Sequence, residues 1–257
     1  MRLATWNVNS LRARMPRIEE WITDVRPDVL CMQETKLAED AFPHLDFERL
    51  GYECVHHGQG QWNGVAIASR VGLSDPVRGF ADGAPADPEA RLVTATCGGV
   101  RVSSVYVPNG RSLDDPHYTY KLAWMKRLLG HLEANETPDA NVIVTGDFNI
   151  APDDRDVYDP KKFVGATHVS EPERDSLRAL ESWGLVDLFR KLHVEGGLYS
   201  WWDYRSGDFH QGRGLRIDLV MGTEAMARRT HWSIVDRNAR KGQQPSDHAP
   251  VLVDLDD

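Results

Sequence analysis

Acids, amides and one histidine lie at the ends of several short apolar runs that are far apart in the chain. These positions are Asn7, Glu34, Asp147, Asn149, Asp218, Asp247 and His248. Runs of this kind are typical of buried strands, and strand ends on one rim of a sheet converge in space. We therefore expect these side chains to meet at one site.

The oxygen-rich composition of this set favours a particular chemistry. Carboxylates and amides are hard ligands that suit Mg²⁺, or Mn²⁺, better than zinc. Such a cation can polarise a phosphoryl oxygen and neutralise charge on a leaving oxygen. An aspartate beside His248 could orient the imidazole and make it more basic. The sequence has no Gly-Lys-Ser/Thr phosphate loop, which argues against nucleoside triphosphate chemistry.

Each of these residues also has an ordinary structural explanation. A single Asp after a strand is more often a turn former than a catalyst. Glu34 could be an exposed strand end or the first-turn acid of a helix, and a lone His248 is more often a surface or hydrogen-bonded histidine. The coincidence of all these positions at strand ends favours a functional site.

Composition limits the class of protein. The chain has 257 residues, 41% of them hydrophobic, which is enough for a sizeable core. A net charge of −9 argues against a protein that coats DNA non-specifically. It does not argue against a compact basic groove, because the total charge says little about one face of the protein. There is no signal-peptide pattern and no apolar run of the ~18 residues that a membrane helix needs. The chain has an odd number of cysteines, Cys31, Cys54 and Cys97, which are widely spaced and form no C-x-x-C pair. This pattern favours reduced thiols over a disulfide framework or a zinc site. We expect a cytoplasmic protein that does not bind membranes.

The spacing of apolar residues predicts the elements that position the polar set. Runs rich in Val, Ile and Thr predict strands at Leu3–Trp6, Asp28–Met32, Val65–Ser69, Leu92–Cys97, Val102–Val107, Val142–Thr145, Ile217–Met221 and Pro250–Leu255. Apolar residues three and four apart predict helices around Ile18–Val25, Leu122–Leu132 and Leu177–Trp183. Gly184 predicts the end of the third helix, and Ser74–Glu89 is interpreted as a surface loop.

Several consecutive strands, from Val65 to Val107, have no helical pattern between them. A purely parallel sheet needs a crossover between its strands, so this run favours mixed sheets packed on each other with helices outside. The loop Ser74–Glu89 is too short to separate two domains. We expect one domain.

Ordered motifs along nearly the whole chain carry a more specific resemblance. They are Trp6–Arg14, Leu30–Lys36, Val105–Gly110, Gly146–Ile150, Ser182–Asp187, Ser200–Ser206, Leu215–Asp218 and Ser246–Pro250. In these motifs the chain resembles the exonuclease III family of abasic-site endonucleases, within the deoxyribonuclease I-like superfamily. The resemblance implies a four-layered α/β sandwich over residues 1–257, in which two mixed β-sheets pack face to face and are flanked by helices.

The resemblance also implies roles for individual residues. The implied metal ligands are Asn7, Glu34, Asp147, Asn149 and Asp247, and the implied catalytic residues are Tyr106, Asp147, Asn149, Asp218 and His248. Asp147 would align or deprotonate the attacking water, and His248, with Asp218 as its partner, would bind the phosphate or transfer a proton. The implied substrate contacts are Asn9, Asn109, Arg111, Lys121, Trp201 and Arg216, with Arg12, Arg14 and Lys36 as further candidates.

The implied activity is that of a DNA repair nuclease that uses Mg²⁺, with Mn²⁺ possible, on double-stranded DNA. It would hydrolyse the phosphodiester 5′ to an abasic site and leave a 3′-hydroxyl, and it would also act on 3′ ends as an exonuclease or end-cleaning enzyme. A monomer is expected.

Two other classes of function share part of this pattern. Phosphodiesterases of the same superfamily that act on phosphoinositides or lipids have the same acidic rim, so the choice of DNA rests on Tyr106–Arg111 and Trp201–Arg205. The first segment suits phosphate contacts, and an aromatic wall in the second could accept a flipped-out sugar that lacks a base. A binding module without activity is the second alternative, and it is disfavoured because no metal or catalytic position is replaced.

Overall fold

Two mixed six-stranded sheets form the centre of the molecule. The computed structural model describes residues 1–256, so Asp257, the last position of the predicted domain, lies outside the described residues. The first sheet consists of β1 Arg2–Asn7, β2 Val29–Gln33, β3 Glu53–His57, β4 Val65–Ser69, β11 Thr230–Val235 and β12 Val251–Leu255. The second consists of β5 Ser74–Arg78, β6 Leu92–Cys97, β7 Val100–Tyr106, β8 Val142–Asp147, β9 Leu185–Asp187 and β10 Asp218–Thr223.

Each sheet combines parallel and antiparallel pairs. The strand order is β11-β12-β1-β2-β4-β3 in the first sheet and β5-β6-β7-β8-β10-β9 in the second. Strand β1 is parallel to β2 and β7 is parallel to β8, whereas the other pairs are antiparallel.

The helices are α1 Leu11–Val25, α2 His44–Arg49, α3 Pro116–Asn135, α4 Glu171–Trp183, α5 Leu188–Leu192, α6 Asp208–Gln211 and α7 Glu224–Arg229. Within residues 1–256, none of them is both long and apolar enough to cross a membrane.

The apolar side chains sort into three layers of packing. The inner faces of the two sheets meet in one cluster, to which β2 contributes Cys31 and β8 contributes Ile143. The outer face of the first sheet packs against α1 through a second cluster, which includes Trp6. The outer face of the second sheet packs against α3 and α4 through residues such as Leu128 and Leu180. The predicted four-layered sandwich of two mixed sheets between helices is confirmed.

Several predicted boundaries agree with the structure. Strands β4 and β6 begin and end where the sequence predicts them. Helix α1 ends at Val25, where Arg26 takes a left-handed conformation, and α4 ends before Gly184 with φ 130°.

The interpretation of Ser74–Glu89 as a surface loop is wrong for its first residues. Ser74–Arg78 forms β5, an edge strand of the second sheet that contains Pro76. Its side chains are mostly exposed, so the segment lacks the apolar pattern that reveals a buried strand. Proline is tolerated there because an edge strand leaves some backbone groups unpaired.

Strand pairing brings the polar strand ends to one rim. Asn7 pairs with Gln33 at the end of the parallel pair β1–β2, so Glu34 follows directly. Tyr106 pairs with Asp147 at the end of β7–β8, and Asp218 pairs with Asp147 across β10–β8. Because the two sheets pack face to face, these ends lie opposite one another.

Gly146 allows the closest approach of strands at this rim. A Cβ atom at Gly146 would lie 2.0 Å from the carbonyl oxygen of Val105 on β7, and the residue has φ 148°. No side chain fits there, so glycine is required at the position that precedes Asp147.

Candidate active site

The amide of Asn7 joins acids from the two sheets. Its Nδ2 donates to Glu34 Oε1 at 2.8 Å and to Asp147 Oδ2 at 2.9 Å. Asn7 is fully buried, and its backbone carbonyl oxygen accepts from Ser246 Oγ at 2.6 Å. Asn7 therefore holds together both sheets and the segment that carries His248.

His248 lies between two carboxylates. Its Nδ1 donates to Asp218 Oδ2 at 2.8 Å, and its Nε2 is 3.8 Å from Asp147 Oδ2. Burial alone would lower the pKa of His248, but the charges of Asp218, Asp147 and Asp247 raise it to about 10. The imidazole is therefore held as a cation at neutral pH.

Asp147 is a buried carboxyl group with two further acids near it. Burial, with help from the nearby Asp218 and Glu34, raises the pKa of Asp147 to about 7, although His248 and Asn7 act in the opposite direction. A carboxyl group with such a pKa can accept a proton near neutral pH.

Atoms of Glu34, Asp147 and His248 form a candidate cation site. One ligand atom from each lies within 4.8 Å of the others. Among residues 1–256, this is the group of three or more His, Cys, Asp or Glu side chains that could hold a metal ion. Since His248 is held as a cation, the two carboxylates supply the anionic ligands. Glu34 has φ 53°, and Lys36 Nζ lies 2.9 Å from its Oε2. These hard oxygen donors fit Mg²⁺ or Mn²⁺.

Asp247 is joined to residues outside that group. Its Oδ1 accepts from Asn9 Nδ2 at 2.9 Å, and its Oδ2 accepts from Trp201 Nε1 at 3.1 Å. Asn9 Oδ1 accepts in turn from Lys36 Nζ at 2.6 Å. Asp247 and Asn9 therefore lie beside the candidate cation site, and Lys36 connects Asn9 to Glu34 by contacting both.

Asn149 is held in a left-handed conformation with its side chain fixed at both ends. It has φ 51°, and its backbone N–H donates to Asp147 Oδ1 at 2.9 Å. Its Nδ2 donates to the Val107 carbonyl at 2.9 Å, and its Oδ1 accepts from Asn109 Nδ2 at 3.1 Å. The structure thus brings Asn149 and Asn109 together next to Asp147.

The phenol of Tyr106 faces the acids. Burial, followed by the charge of Glu34, raises the pKa of Tyr106 well above its ordinary value. The guanidinium of Arg91 lies over the ring, 4.6 Å from its centroid. Tyr106 is therefore a neutral hydrogen-bond donor at the rim.

Two predicted DNA contacts are corrected because their charged groups are inside the protein. Lys121 is fully buried, 2.6 Å from Glu173 Oε1. Arg216 is also fully buried, 2.6 Å from Asp156 Oδ1 and 2.8 Å from Asp187 Oδ2. Neither cation can reach a DNA phosphate, so both predictions are wrong in this respect.

Other predicted contacts are accessible. The side chain of Arg111 is 62% exposed, and Arg12 is exposed as well. Arg14 donates to the Tyr204 hydroxyl at 3.2 Å. The two neighbouring tryptophans differ as strand geometry suggests, because Trp202 is buried whereas Trp201 is half-buried beside Asp247.

Two histidines near the site were missed by the sequence reasoning. His168 Nδ1 lies 2.5 Å from the Asn149 carbonyl oxygen, and burial, with the charge of Lys121, lowers its pKa to about 4. His56 contacts Thr35, the residue after Glu34, at 2.9 Å. Neither histidine lies in a motif or at a predicted strand end, so the sequence offered no signal for them.

Comparisons with known proteins agree with this geometry. The model of the endonuclease/exonuclease/phosphatase family matches residues 4–248. The chain is similar to exodeoxyribonuclease III of Haemophilus influenzae, with 33% identity over 270 residues that cover 99% of this chain and 100% of the relative.

Two solved structures are similar over the whole chain. The 3′ phosphatase NExo from Neisseria, bound to a product DNA hairpin, is 40% identical with a TM-score of 0.95, covering 100% of this chain and 99% of that one. An AP endonuclease from Archaeoglobus fulgidus is 36% identical with a TM-score of 0.96, and both chains are covered completely.

Proposed function

The chain belongs to the endonuclease/exonuclease/phosphatase family, within its exonuclease III branch, and on that basis we propose that it is a DNA repair hydrolase. The proposed reaction is metal-dependent cleavage of the phosphodiester 5′ to an abasic site in double-stranded DNA, which leaves a 3′-hydroxyl. The observation that carries the proposal is the buried Asp147 carboxylate, which lies between Glu34 and the His248–Asp218 pair.

Removal of phosphates, blocking groups or nucleotides from 3′ ends is proposed as a second activity of the same site. One similar protein is an AP endonuclease and another is a 3′ phosphatase. In both reactions water attacks phosphorus and a 3′ oxygen leaves, so one set of catalytic groups can serve both. The two substrates differ in what lies on the far side of the phosphorus atom.

The proposed cation is Mg²⁺, with Mn²⁺ as the alternative. Glu34 and Asp147 would hold it, and Asn7, Asn149 and Asp247 complete the proposed ligand set, the last after release from its present partners. When bound, the cation supplies Lewis-acid polarisation of a phosphoryl oxygen.

The protein's own residues supply positioning and proton transfer. Asp147 would accept the proton of the attacking water, which Asn149 would orient. The His248 imidazolium, fixed by Asp218, would donate to a phosphoryl oxygen and stabilise the charge that develops there. The phenol of Tyr106 stays protonated and can donate to a phosphate oxygen or to the leaving oxygen.

Substrate contacts are proposed for accessible groups around this centre. Asn109 and Arg111 lie on the exposed loop after β7 and suit the DNA backbone. Trp201 offers an aromatic surface to a sugar without a base, and Asn9 links Asp247 to Lys36 beside the phosphate site.

We further propose that both sheets form one domain, because the site takes residues from each. The protein would act as a monomer in a reducing compartment such as the cytoplasm, which fits its free thiols at Cys31, Cys54 and Cys97.

Two duplexes test the proposed function. One carries a single tetrahydrofuran abasic analogue, and the other carries a nick with a 3′-phosphate. With Mg²⁺ we expect cleavage 5′ to the analogue and release of inorganic phosphate, and with EDTA neither product. Asp147→Asn should lower both rates by about 10³-fold or more, since such residues act as a unit with the rest of the site.

The matched control is Asp75→Asn, which removes the same charge from an exposed position of β5 and should leave both rates unchanged. Hydrolysis of a phosphoinositide, with no metal-dependent action on either duplex, would overturn the proposal.

A further inference from the structure

A fully buried ion pair lies beneath the loops that carry Asn109 and Asn149. Lys121, on α3, places its Nζ 2.6 Å from Oε1 of Glu173, on α4. Both side chains are completely inaccessible. The pair therefore joins two helices of the outer layer at a point directly behind the candidate site.

The ammonium group of Lys121 uses its three N–H donors on three different segments. Besides Glu173, it donates to the Asn149 carbonyl at 2.6 Å and to the Asn109 carbonyl at 3.2 Å. An ammonium has three donors, and the carboxylate and the two loop carbonyls lie closer to it than its fourth neighbour, the Thr167 hydroxyl at 3.5 Å.

Glu173 also binds the segment Thr167–His168 to the same point. Its Oε1 accepts from the Thr167 hydroxyl at 2.7 Å and from the His168 N–H at 3.0 Å. The Thr167 hydroxyl also lies 3.1 Å from the Asn109 carbonyl, and the His168 ring contacts the Asn149 carbonyl. Each carbonyl thus has a polar group of the Thr167–His168 segment within hydrogen-bond distance in addition to Lys121.

Stability alone is a weak reason for such a pair. Removing two charges from water costs several kcal/mol per ion, and replacing a buried ion pair by residues of similar volume is often neutral or stabilising. The contacts of Lys121 are instead concentrated on two peptide carbonyls whose residues present amides beside Asp147.

The conformation of Asn149 is the feature that these contacts can control. Its φ of 51° is left-handed, a region that asparagine tolerates better than most residues but that still needs support. A change of φ at Asn149 would swing both its carbonyl away from Lys121 and its side-chain amide away from Asn109.

We propose that Lys121 and Glu173 are positioning residues that fix the Asn109–Asn149 amide pair against Asp147. This inference rests on the proposed function, because the amides orient water and phosphate only if the site hydrolyses phosphate esters. The pair acts through Asn149 and does not touch the substrate.

The test is the double variant Lys121→Met/Glu173→Gln, assayed on the abasic duplex with Mg²⁺. It removes both charges together, so no unpaired ion is left in the interior. We expect kcat to fall about 10- to 100-fold while KM changes less than about threefold, since displacement of a catalytic group by about 1 Å has costs of this size. The melting temperature should stay near that of the wild type.

A matched control removes another cross-element ion pair. Arg101 and Glu136, 3.3 Å apart, lie at the opposite end of β7 from Tyr106. The variant Arg101→Met/Glu136→Gln should keep the wild-type kcat.

A double-mutant cycle separates positioning from a general effect on folding. If the pair acts through Asn149, adding Lys121→Met/Glu173→Gln to Asn149→Ala should lower kcat by less than about threefold further. A full additional loss in that background, or an unchanged kcat in the double variant alone, would overturn the proposal.

A milder pair of variants applies if the double variant does not fold. Thr167→Val removes the hydroxyl that bridges Glu173 and the Asn109 carbonyl, and Thr167→Ser keeps it. We expect kcat to fall about 3- to 10-fold for valine and to be rescued by serine. Equal rates for the two would overturn the proposal, whereas a wild-type protein inactive on both duplexes would instead overturn the proposed function.

Discussion

Two buried histidines, one in the candidate active site and one near it, have pKa values shifted in opposite directions. His248 lies between Asp218 and Asp147, and its pKa is raised to about 10. His56 is equally buried but stacks on Phe42, with ring centroids 4.6 Å apart, and burial lowers its pKa to about 4. The first is held as a cation and the second is kept neutral.

The neighbours of His56 explain why it stays neutral. Its Nε2 lies 2.9 Å from the Thr35 hydroxyl. Its Nδ1 has no hydrogen-bond partner among the described residues and lies 3.6 Å from Oε2 of the half-exposed Glu39, whose charge does not outweigh burial. A Cβ at Gly58 would lie 2.2 Å from the ring, so the ring fills its space completely.

The contrast teaches that burial of a histidine says nothing about its role until its partners are known. Carboxylates convert a buried imidazole into a charged group that can serve chemistry. His56 contacts a hydroxyl and an aromatic ring, and its nearest carboxylate, Glu39, is half-exposed at 3.6 Å, so the imidazole stays neutral and supports Thr35 directly after Glu34.

The largest expected difference between the two regions is in turnover. His248→Ala and Asp218→Asn should each lower kcat by about 10²- to 10⁴-fold, and their combination should be hardly worse than either one, because the two residues act as a unit. Steady-state rates on the abasic duplex measure this. Additive losses, or a variant with a near-wild-type rate, would break the comparison.

The next difference is in stability at acid pH. The unfolded chain binds a proton at His56 near pH 6.5, whereas the folded protein binds it only near pH 4, so the free energy of unfolding should fall as pH drops through this window and be constant above it. Between pH 7 and 4.5 the wild type should lose about 2–3 kcal/mol more than His56→Gln.

Urea unfolding of the two proteins at both pH values, in EDTA, measures this difference. Parallel losses in the wild type and in His56→Gln would show that His56 is not held neutral by the fold.

The smallest expected effect is that of the hydroxyl partner of His56. Thr35→Val should destabilise the fold by about 1–3 kcal/mol, because it leaves the buried Nε2 of His56 without its hydrogen-bond partner, and should lower kcat less than about tenfold. Thr35→Ser keeps the hydroxyl and serves as the control in thermal melts. A larger loss of kcat than for His248→Ala would reverse the roles assigned to the two regions.

The success of the sequence reasoning depended on how local each signal is. Strands β4 and β6 are buried along their length, so continuous apolar runs mark their bounds. Strand β11 lies at an edge and exposes Trp232 and Ile234, and its alternation was too weak to recognise. The same holds for β3 and for the three-residue β9.

Site residues follow the same division. Strand-end acids such as Glu34 and Asp147 are visible in the sequence because their place depends on the strand before them. The burial of Lys121 depends on Glu173, 52 residues away, and that of Arg216 depends on Asp156, 60 residues away. No local sequence pattern indicates an ion-pair partner so far along the chain, so both cations were predicted to lie at the surface.

The pairing of β1 with β12 has a consequence for the protein during synthesis. Asn7 leaves the ribosome well before the segment that carries His248, which docks against it through Ser246, 239 residues further along the chain. An unfinished nascent chain therefore has the first acid and amide but lacks the imidazole. The complete site therefore forms only after two segments far apart in the chain have been synthesised and have paired with each other.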